Sequence, residues 1–268
     1  MRLLNNILNS SDKFNLWNQL IVLAYRGSIA HNTYVPNSNP NSIDDKDVLG
    51  IAMRPKQYFF GLKSFEQFER QEEYWDVLIY DFHKTIRLLI KSNPNILQIL
   101  WTPDKHILKR TEIYDKLIAN RDLFVHKGVY QTFCGYSYGQ LKKMENMAYN
   151  GYMGQKRKGL VDKFGYDTKN AQHLIRLLRQ GTEFLKTGEL LVERPDAEEL
   201  KQIKLGMWTI EKVKKEADKL FKEMKTAFNE SKLPQQANFE KIHRLTVEIT
   251  EEYYYPQKQE GKNEKTNM

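Results

Sequence analysis

"LIVLAYRGSIAHNTYVPNSNPNSIDDKDVLGIAM", residues 20–53, is the stretch that decides the fold expected for this chain. Its first six residues form an uninterrupted apolar run, which is typical of a buried strand. Gly27 interrupts that strand, a loop rich in Asn, Ser and Pro follows, and "DKDVLGIAM" resumes strand character. The stretch therefore predicts two strands of one sheet, joined by a loop.

Segments further along the chain extend this organisation. "WDVLIY", residues 75–80, predicts a third strand, and an amphipathic helix begins at Phe82 and ends at "SNPN". Every long segment beyond about residue 110 has helical periodicity, and a first helix is predicted near residues 12–19, capped by Ser10 or Ser11. The expected class is α+β. A small mixed β-sheet domain over residues 1–125 is followed by an α-helical domain over 126–252 and a disordered tail over 253–268.

Composition places the 268-residue chain among globular proteins with polyanionic partners. Hydrophobic residues make up 40%, and 42 Lys and Arg against 34 Asp and Glu give a net charge of +8, which favours nucleic acid or nucleoside triphosphates as partners. The single Cys134 excludes an intramolecular disulfide, so a cytoplasmic location is predicted. No apolar run approaches the ~20 residues that span a bilayer, and no membrane partner is expected.

The aspartates before "VLGIAM" predict a metal site. If residues 44–51 form a strand, Asp45 and Asp47 point to one face, while Asp44 and Lys46 point to the other. Two carboxylates side by side repel each other, and a hard divalent cation bound by oxygen ligands relieves that repulsion. The alternative interpretation is an Asx-rich turn at the entrance of a strand.

Gly27 and Ser28 predict a phosphate site beside that metal. Glycine permits close approach of the backbone to a phosphate, and a serine hydroxyl can donate to its oxygens. A two-metal site usually needs a further carboxylate on an adjacent strand. Asp76 and Asp81 are the candidates, and Asp76 is preferred because Asp81 precedes a helix that it can cap.

Taken together, these features resemble the DNA polymerase β nucleotidyltransferase superfamily. Three stretches are similar to the phage and bacterial family of polymerase-β-like nucleotidyltransferases, some of which are linked to RNA repair. They are "GSIAHNTYVPNSNPNSIDDKDVLGI", "DVLIYDFHKTIRLLIKSNPN" and "TKNAQHLIRLLRQGTEFLKTGEL". The resemblance covers roughly residues 20–215. Within it, "KSNPN" and the K-x-x-x-H-x-x-R helix are narrower signals than Gly-Ser with D-x-D.

The resemblance implies transfer of a nucleoside monophosphate from a nucleoside triphosphate such as ATP to a hydroxyl acceptor, with release of pyrophosphate. The implied acceptor is RNA, either tRNA or a repair substrate. Gly27 and Ser28 would hold phosphates, and the catalytic residues Asp45, Asp47 and Asp76 would bind two Mg²⁺ ions, with Mn²⁺ as a substitute. Two departures from the family pattern are the longer loop through "NSNPNS" and Gln98, which stands where glutamate is often found.

A polar stripe lies along the predicted helix that begins near residue 169. It consists of Lys169, His173, Arg176, Gln180 and Glu183. Periodicity alone favours a solvated face. The resemblance instead implies that Lys169, His173 and Arg176 bind nucleotide, through phosphate or base contacts across a cleft from the aspartates.

A stretch of basic and aromatic residues, "LKKMENMAYNGYMGQKRKGLVDKF" (141–164), leaves two interpretations open. It could bind single-stranded nucleic acid by phosphate neutralisation and base stacking, or it could be a mobile surface loop. The function has rivals as well. One is a catalytically silent nucleotide or RNA sensor, and another is an antitoxin-type nucleotidyltransferase that modifies a protein partner.

Overall fold

The computed structural model describes residues 2–36, 38–39, 42, 44–145 and 155–256, and its strands form one five-stranded mixed sheet. The strands are β1 (Leu20–Tyr25), β2 (Lys46–Ala52), β3 (Gln67–Glu72), β4 (Trp75–Asp81) and β5 (Ile107–Arg110). Their order in the sheet is β3-β4-β2-β1-β5. β2 and β4 are parallel, whereas β1 with β2, β1 with β5, and β3 with β4 are antiparallel.

The three strands predicted from the sequence form the centre of the sheet, and both edge strands escaped prediction. β3 has the sequence "QFERQE", in which polar side chains are mostly exposed, and β5 has only four residues. Neither gives the apolar run or clean alternation by which a strand is recognised. Charged residues on such an edge discourage pairing with other chains.

Helices make up most of the remaining described residues. They are α1 (Arg2–Asn9), α2 (Leu16–Gln19), α3 (Gly27–Ala30), α4 (Lys56–Phe59), α5 (Phe82–Ile90), α6 (Pro94–Leu97), α7 (Glu112–Ala119), α8 (Val129–Glu145), α9 (Gln155–Phe164), α10 (Thr168–Thr187), α11 (Ala197–Lys204), α12 (Ile210–Glu230) and α13 (Phe239–Tyr254). Short 3₁₀ helices cover Gln98–Trp101, Asp104–His106 and Arg121–Phe124. The predicted α+β class is confirmed.

The two faces of the sheet are covered by separate hydrophobic cores. Leu49 and Leu78 belong to the larger core, which also contains residues of α5, α8, α10, α12 and α13. Val48 and Val77, on the opposite face, belong to a smaller core with α1. Because side chains alternate along a strand, a residue's position in β2 or β4 decides whether it faces the helical half of the chain.

The N-terminal prediction is wrong in its bounds. Instead of one helix over residues 12–19, α1 ends at Asn9 and α2 begins at Leu16. The cap is Asn15, whose side chain accepts a hydrogen bond from the Asn18 N–H at 3.1 Å. An asparagine at this position satisfies a free donor of the first turn as well as the predicted serines would.

The helical character predicted beyond residue 110 is confirmed for the described segments. The division after residue 125 stays a prediction, and the larger core contains residues from both sides of it. α13 continues to Tyr254, so that the first two residues assigned to the tail are helical, and residues 257–268 lie outside the described part. Among the described residues, no helix combines the length and the apolar composition needed to cross a lipid bilayer.

Candidate active site

Asp47 and Asp76 lie side by side near the beginning of two neighbouring strands. Each is the second residue of its strand, and the parallel register of β2 and β4 places their Cα positions opposite each other. Leu49 and Leu78, the next residues on that face, pack into the larger core. Both carboxylates therefore face the helical half, at the margin of its core.

Gly27 packs directly against Asp47. Its φ of +62° lies in the left-handed region, and a Cβ at this position would lie 2.4 Å from Asp47 Oδ2. The backbone N–H of Arg26 donates to the carbonyl oxygen of Asp47 at 2.9 Å, which fixes the end of β1 to the start of β2. Next to Gly27, the hydroxyl oxygen of Ser28 is buried and has no hydrogen-bond partner among the described residues. A phosphate oxygen could satisfy that hydroxyl.

Asp47 carries an unfavourable charge in this environment. Burial raises its pKa to about 6. The positive charges of Arg26 and Lys169 oppose the shift in pKa, and the negative charges of Asp76 and Asp45 add to it. The local positive charge is thus insufficient to offset burial and repulsion, and an additional cation would stabilise the carboxylate.

The two other carboxylates have partners within the chain. Asp76 Oδ2 accepts a hydrogen bond from Arg26 Nη2 at 2.9 Å, in an ion pair whose side chains are 18% exposed for arginine and 30% for aspartate. Asp45 Oδ2 accepts a longer one, 3.4 Å, from Gln71 Nε2. Asp45 precedes β2, because the strand begins at Lys46.

The donor set fits a hard divalent metal, although the carboxylates are not drawn together around one point. In the described ranges, no three His, Cys, Asp or Glu side chains are grouped closely enough to hold an ion. Asp47 and Asp76 nevertheless offer oxygen ligands on adjacent strands, and the raised pKa of Asp47 reflects an uncompensated negative charge. Oxygen ligands with excess negative charge suit Mg²⁺ or Mn²⁺.

Asp81 has a different place in the fold. Its side chain is almost completely buried and caps α5, accepting hydrogen bonds from the N–H groups of His83 at 3.0 Å and Lys84 at 3.2 Å. Arg54 Nε lies 3.3 Å from its other oxygen. Asp76, and not Asp81, is the carboxylate beside Asp47.

The prediction that Asp44 faces away from Asp47 with Lys46 is wrong. β2 begins after Asp44, so strand alternation does not apply to it. Asp44 is buried towards the helical half, where Oδ2 lies 2.7 Å from Lys204 Nζ and Oδ1 lies 3.8 Å from Lys169 Nζ. Lys46, by contrast, places its ammonium over the rings of Tyr74 and Trp75 on the opposite face.

Of the three nucleotide-binding residues implied on α10, Lys169 interacts with two of the aspartates before and in β2. It contacts Asp44 and interacts electrostatically with Asp47. His173 follows on the same helix and is half-buried. Arg176 Nη1 donates to Gln180 Oε1 at 2.6 Å, its Nε is buried without a partner in the described structure, and burial lowers its pKa to about 9.

The rest of the polar stripe is an internal contact surface and not a solvated face. Gln180 is buried and donates to the carbonyl oxygen of Leu191 at 2.8 Å. Glu183 forms a two-point ion pair with the buried Arg194. Leu191 and Arg194 therefore contact this part of the stripe. Periodicity alone favours solvation because a helical pattern does not show which other segment packs against the helix.

The sequence profile of the RNA repair pathway DNA polymerase beta family, RlaP, matches residues 38–266. The chain belongs to this family. The matched range includes the three candidate aspartates and α10, and it begins after Gly27 and Ser28. The phosphate role of those two residues therefore depends on geometry.

Comparison with solved structures and curated proteins adds little to the RlaP assignment. A nucleotidyltransferase-like protein from Exiguobacterium sibiricum 255-15 is similar over 85% of this chain and 73% of its own, with 11% identity and a TM-score of 0.31. That similarity is too weak to carry an argument about the site. No curated protein matches the chain.

In this RlaP chain, the "KSNPN" segment has a structural role. Ser92 has a φ of +49°, and its buried hydroxyl lies 2.9 Å from Nε2 of His126. Thr132 Oγ1 donates to the Ser92 carbonyl oxygen at 2.9 Å, and Asn93 caps α6. The segment holds α5 and α6 against α8, so packing is a sufficient reason for these residue types at these positions.

The basic and aromatic stretch of this RlaP chain is only partly described. Lys142 and Lys143 are exposed near the end of α8, and Lys142 lies over the ring of Tyr138 at 5.2 Å. Residues 146–154, which include Tyr149 and Tyr152, lie outside the described residues. Binding of single-stranded nucleic acid by this stretch stays a prediction.

Sequence reasoning missed two residues of the site. Arg26 contacts both strands of the carboxylate pair, and Lys204 neutralises Asp44. Arg26 could have been recognised from its position directly between a buried strand and Gly27, because a charged side chain there needs a polar or charged partner. Lys204 gave no such signal, since one lysine among several on an amphipathic helix looks solvated.

Proposed function

We propose that this chain transfers a nucleoside monophosphate from a nucleoside triphosphate to a hydroxyl group, with release of pyrophosphate. The observation that carries the proposal is the in-register pair of Asp47 and Asp76 beside the positive-φ Gly27. Phosphoryl transfer depends on positioning and charge neutralisation at one place, which needs oxygen ligands for a metal next to donors for phosphate. Membership of the RlaP family supports the same reaction class.

Each residue has a role in this reaction. The hydroxyl oxygen bonds to the α-phosphorus while the bond from that phosphorus to the bridging oxygen breaks, and pyrophosphate leaves. Gly27 and Ser28 hold the phosphates, and Asp76, whose side chain is 30% exposed, accepts the hydroxyl proton. Asp45, Asp47 and Asp76 would hold Mg²⁺ or Mn²⁺, which neutralises charge on the triphosphate when bound.

RNA is the acceptor that we favour. The family description names an RNA repair pathway, and the chain carries a net charge of +8. Both suit a polyanionic acceptor with free hydroxyl groups, either tRNA or a broken RNA. Lys169, His173 and Arg176 are proposed to contact the nucleotide from α10, where Lys169 interacts with Asp44 and Asp47.

A labelling experiment tests the function. The protein is incubated with each α-labelled triphosphate, Mg²⁺ and total cellular RNA, with protein acceptors offered in parallel, and the labelled products are sized. We expect labelled RNA and released pyrophosphate. Nucleotide binding without pyrophosphate would instead identify a silent sensor, and labelled protein would identify an antitoxin-type modifying enzyme.

Matched variants assign the chemistry to the site. Asp47→Asn and Asp76→Asn are expected to abolish transfer, whereas Asp104→Asn, at a carboxylate 85% exposed, should retain it. Thermal unfolding of all three verifies that the fold is intact. Undiminished transfer by the Asp47 or Asp76 variant would overturn the assignment.

A further inference from the structure

Arg26 connects the two halves of the carboxylate pair. Its backbone N–H donates to the Asp47 carbonyl oxygen at 2.9 Å, and its side-chain Nη2 donates to Asp76 Oδ2, also at 2.9 Å. It directly precedes Gly27 and Ser28, the proposed phosphate-binding residues. One arginine thus contacts the carboxylate of Asp76 and the backbone of Asp47, and it adjoins the proposed phosphate site.

The guanidinium group of Arg26 has an N–H donor without a partner among the described residues. The side chain is only 18% exposed, and among the described residues its Nη2 has Asp76 as a partner while its buried Nε has none. Guanidinium has five N–H donors and binds phosphate in a two-point geometry. A partly buried arginine with donors to spare, next to a phosphate site, is placed to bind an anion.

The pairing with Asp76 also interferes with a metal. Arg26 donates to one of the oxygens that a divalent ion would need, and it supplies positive charge to Asp47 as well. Binding of a metal through that oxygen therefore competes with the guanidinium. Without a triphosphate, the displaced guanidinium would have no new anionic partner, which is costly for a group that is mostly buried.

We propose that Arg26 is an exchangeable counter-ion. It neutralises Asp76 in the nucleotide-free protein, and when a divalent metal binds to Asp76 it moves to the triphosphate. The inference rests on the proposed function, since it uses that metal and that nucleotide. Arg26 couples the two ligands, because each removes the cost of binding the other. Arg26 weakens metal binding when nucleotide is absent, and it strengthens nucleotide binding when the metal is bound.

Binding measurements without turnover test this role. Mn²⁺ is titrated into the full chain without nucleotide, with bound Mn²⁺ followed by electron paramagnetic resonance, and binding of ATP is measured at saturating Mn²⁺ without an acceptor. The variants are Arg26→Gln, Arg26→Lys and a charge-matched control, Arg70→Gln. Arg70 pairs with Glu72 and contacts Ser10 beside α1, away from the carboxylates. Thermal unfolding confirms that each variant is folded.

Arg26→Gln is expected to bind Mn²⁺ about tenfold more tightly than the Arg70 control and ATP about tenfold more weakly, as the loss of one charge-assisted hydrogen bond on each side predicts. Arg26→Lys should lie between Arg26→Gln and the wild type in both affinities. Unchanged or weaker Mn²⁺ binding by Arg26→Gln overturns the inference.

Asp47→Asn separates this failure from failure of the proposed function. If Asp47→Asn abolishes Mn²⁺ binding and Arg26→Gln does not tighten it, the metal site stands and only the role of Arg26 is wrong. If Asp47→Asn leaves Mn²⁺ binding unchanged, the metal site of the proposed function fails, and the inference with it.

Discussion

Asp44 and Lys204 form a 2.7 Å ion pair whose side chains are 0% and 3% exposed. The pair joins the residues before β2 to α11, in the helical half of the chain. Lys204 Nζ also donates to the Thr33 carbonyl oxygen at 2.7 Å, and the backbone N–H of Val35 donates to Asp44 Oδ2 at 2.9 Å. The loop between the proposed phosphate residues and the proposed metal residues is thus held by a buried charge pair.

Breaking this pair should destabilise the protein strongly. Asp44→Asn or Lys204→Met alone leaves one buried charge without its partner, and we expect a loss of about 3–5 kcal/mol in the free energy of unfolding. The double variant should lose less than the sum of the two, which urea denaturation can measure. Glu198→Gln, which removes an exposed 3.6 Å pair with Lys201, is the control and should cost under about 1 kcal/mol.

Gly27→Ala should inactivate the protein by displacing Asp47. The new Cβ would lie 2.4 Å from Asp47 Oδ2, and a displacement of about 1 Å at a catalytic group can cost roughly 100-fold in rate. Gly165→Ala has the same kind of positive φ, +79°, with no heavy atom within 4 Å of its Cβ. Both variants should lose about 1–2 kcal/mol of stability from the left-handed backbone. Equal transfer rates for the two would refute the contact argument.

Stability should decrease in acid partly because of His83. Burial, with help from Arg54 and Arg87, lowers the pKa of His83 to about 4 from its ordinary 6.5. Between these values the unfolded chain binds a proton that the folded chain does not, so this contribution to stability is present above pH 6.5 and is lost as the pH falls towards 4. Urea denaturation across this range should give a smaller pH slope for His83→Gln than for wild type. The surface control is His243→Gln, and a slope unchanged in His83→Gln would exclude the residue as the cause.

Ser92 is expected to matter for stability and not for transfer. Ser92→Ala removes the hydroxyl that lies 2.9 Å from His126 Nε2 while keeping the backbone at a φ of +49°. The Ile90 carbonyl oxygen, 3.0 Å from Nε2, remains as a partner of the imidazole, so loss of the hydroxyl should cost about 0.5–1.5 kcal/mol in the free energy of unfolding. A variant that unfolds as the wild type does, but transfers nucleotide more slowly, would instead give "KSNPN" a direct role in the reaction.

The central strands could be predicted because their apolar runs are visible in the sequence, whereas β3 was hidden by its polar, exposed edge position. Asp47 and Asp76 were found from the D-x-D spacing and the following strand, and the structure places them together. The expected direction of Asp44 was wrong because strand alternation was extended to it, although β2 begins only at Lys46. Its partner, Lys204, depends on long-range packing, which no local pattern encodes.

The parallel pairing of β2 with β4 has a consequence during synthesis of the chain. Neighbouring parallel strands cannot be joined by a tight hairpin, and here α4 and β3 must be made before Asp76 can dock beside Asp47. Lys169 and Lys204 reach the ribosome exit later still. A nascent chain that has released only β1 and β2 contains Gly27, Ser28 and Asp47 but lacks Asp76, so the proposed phosphate and metal residues come together only after β4 has been made.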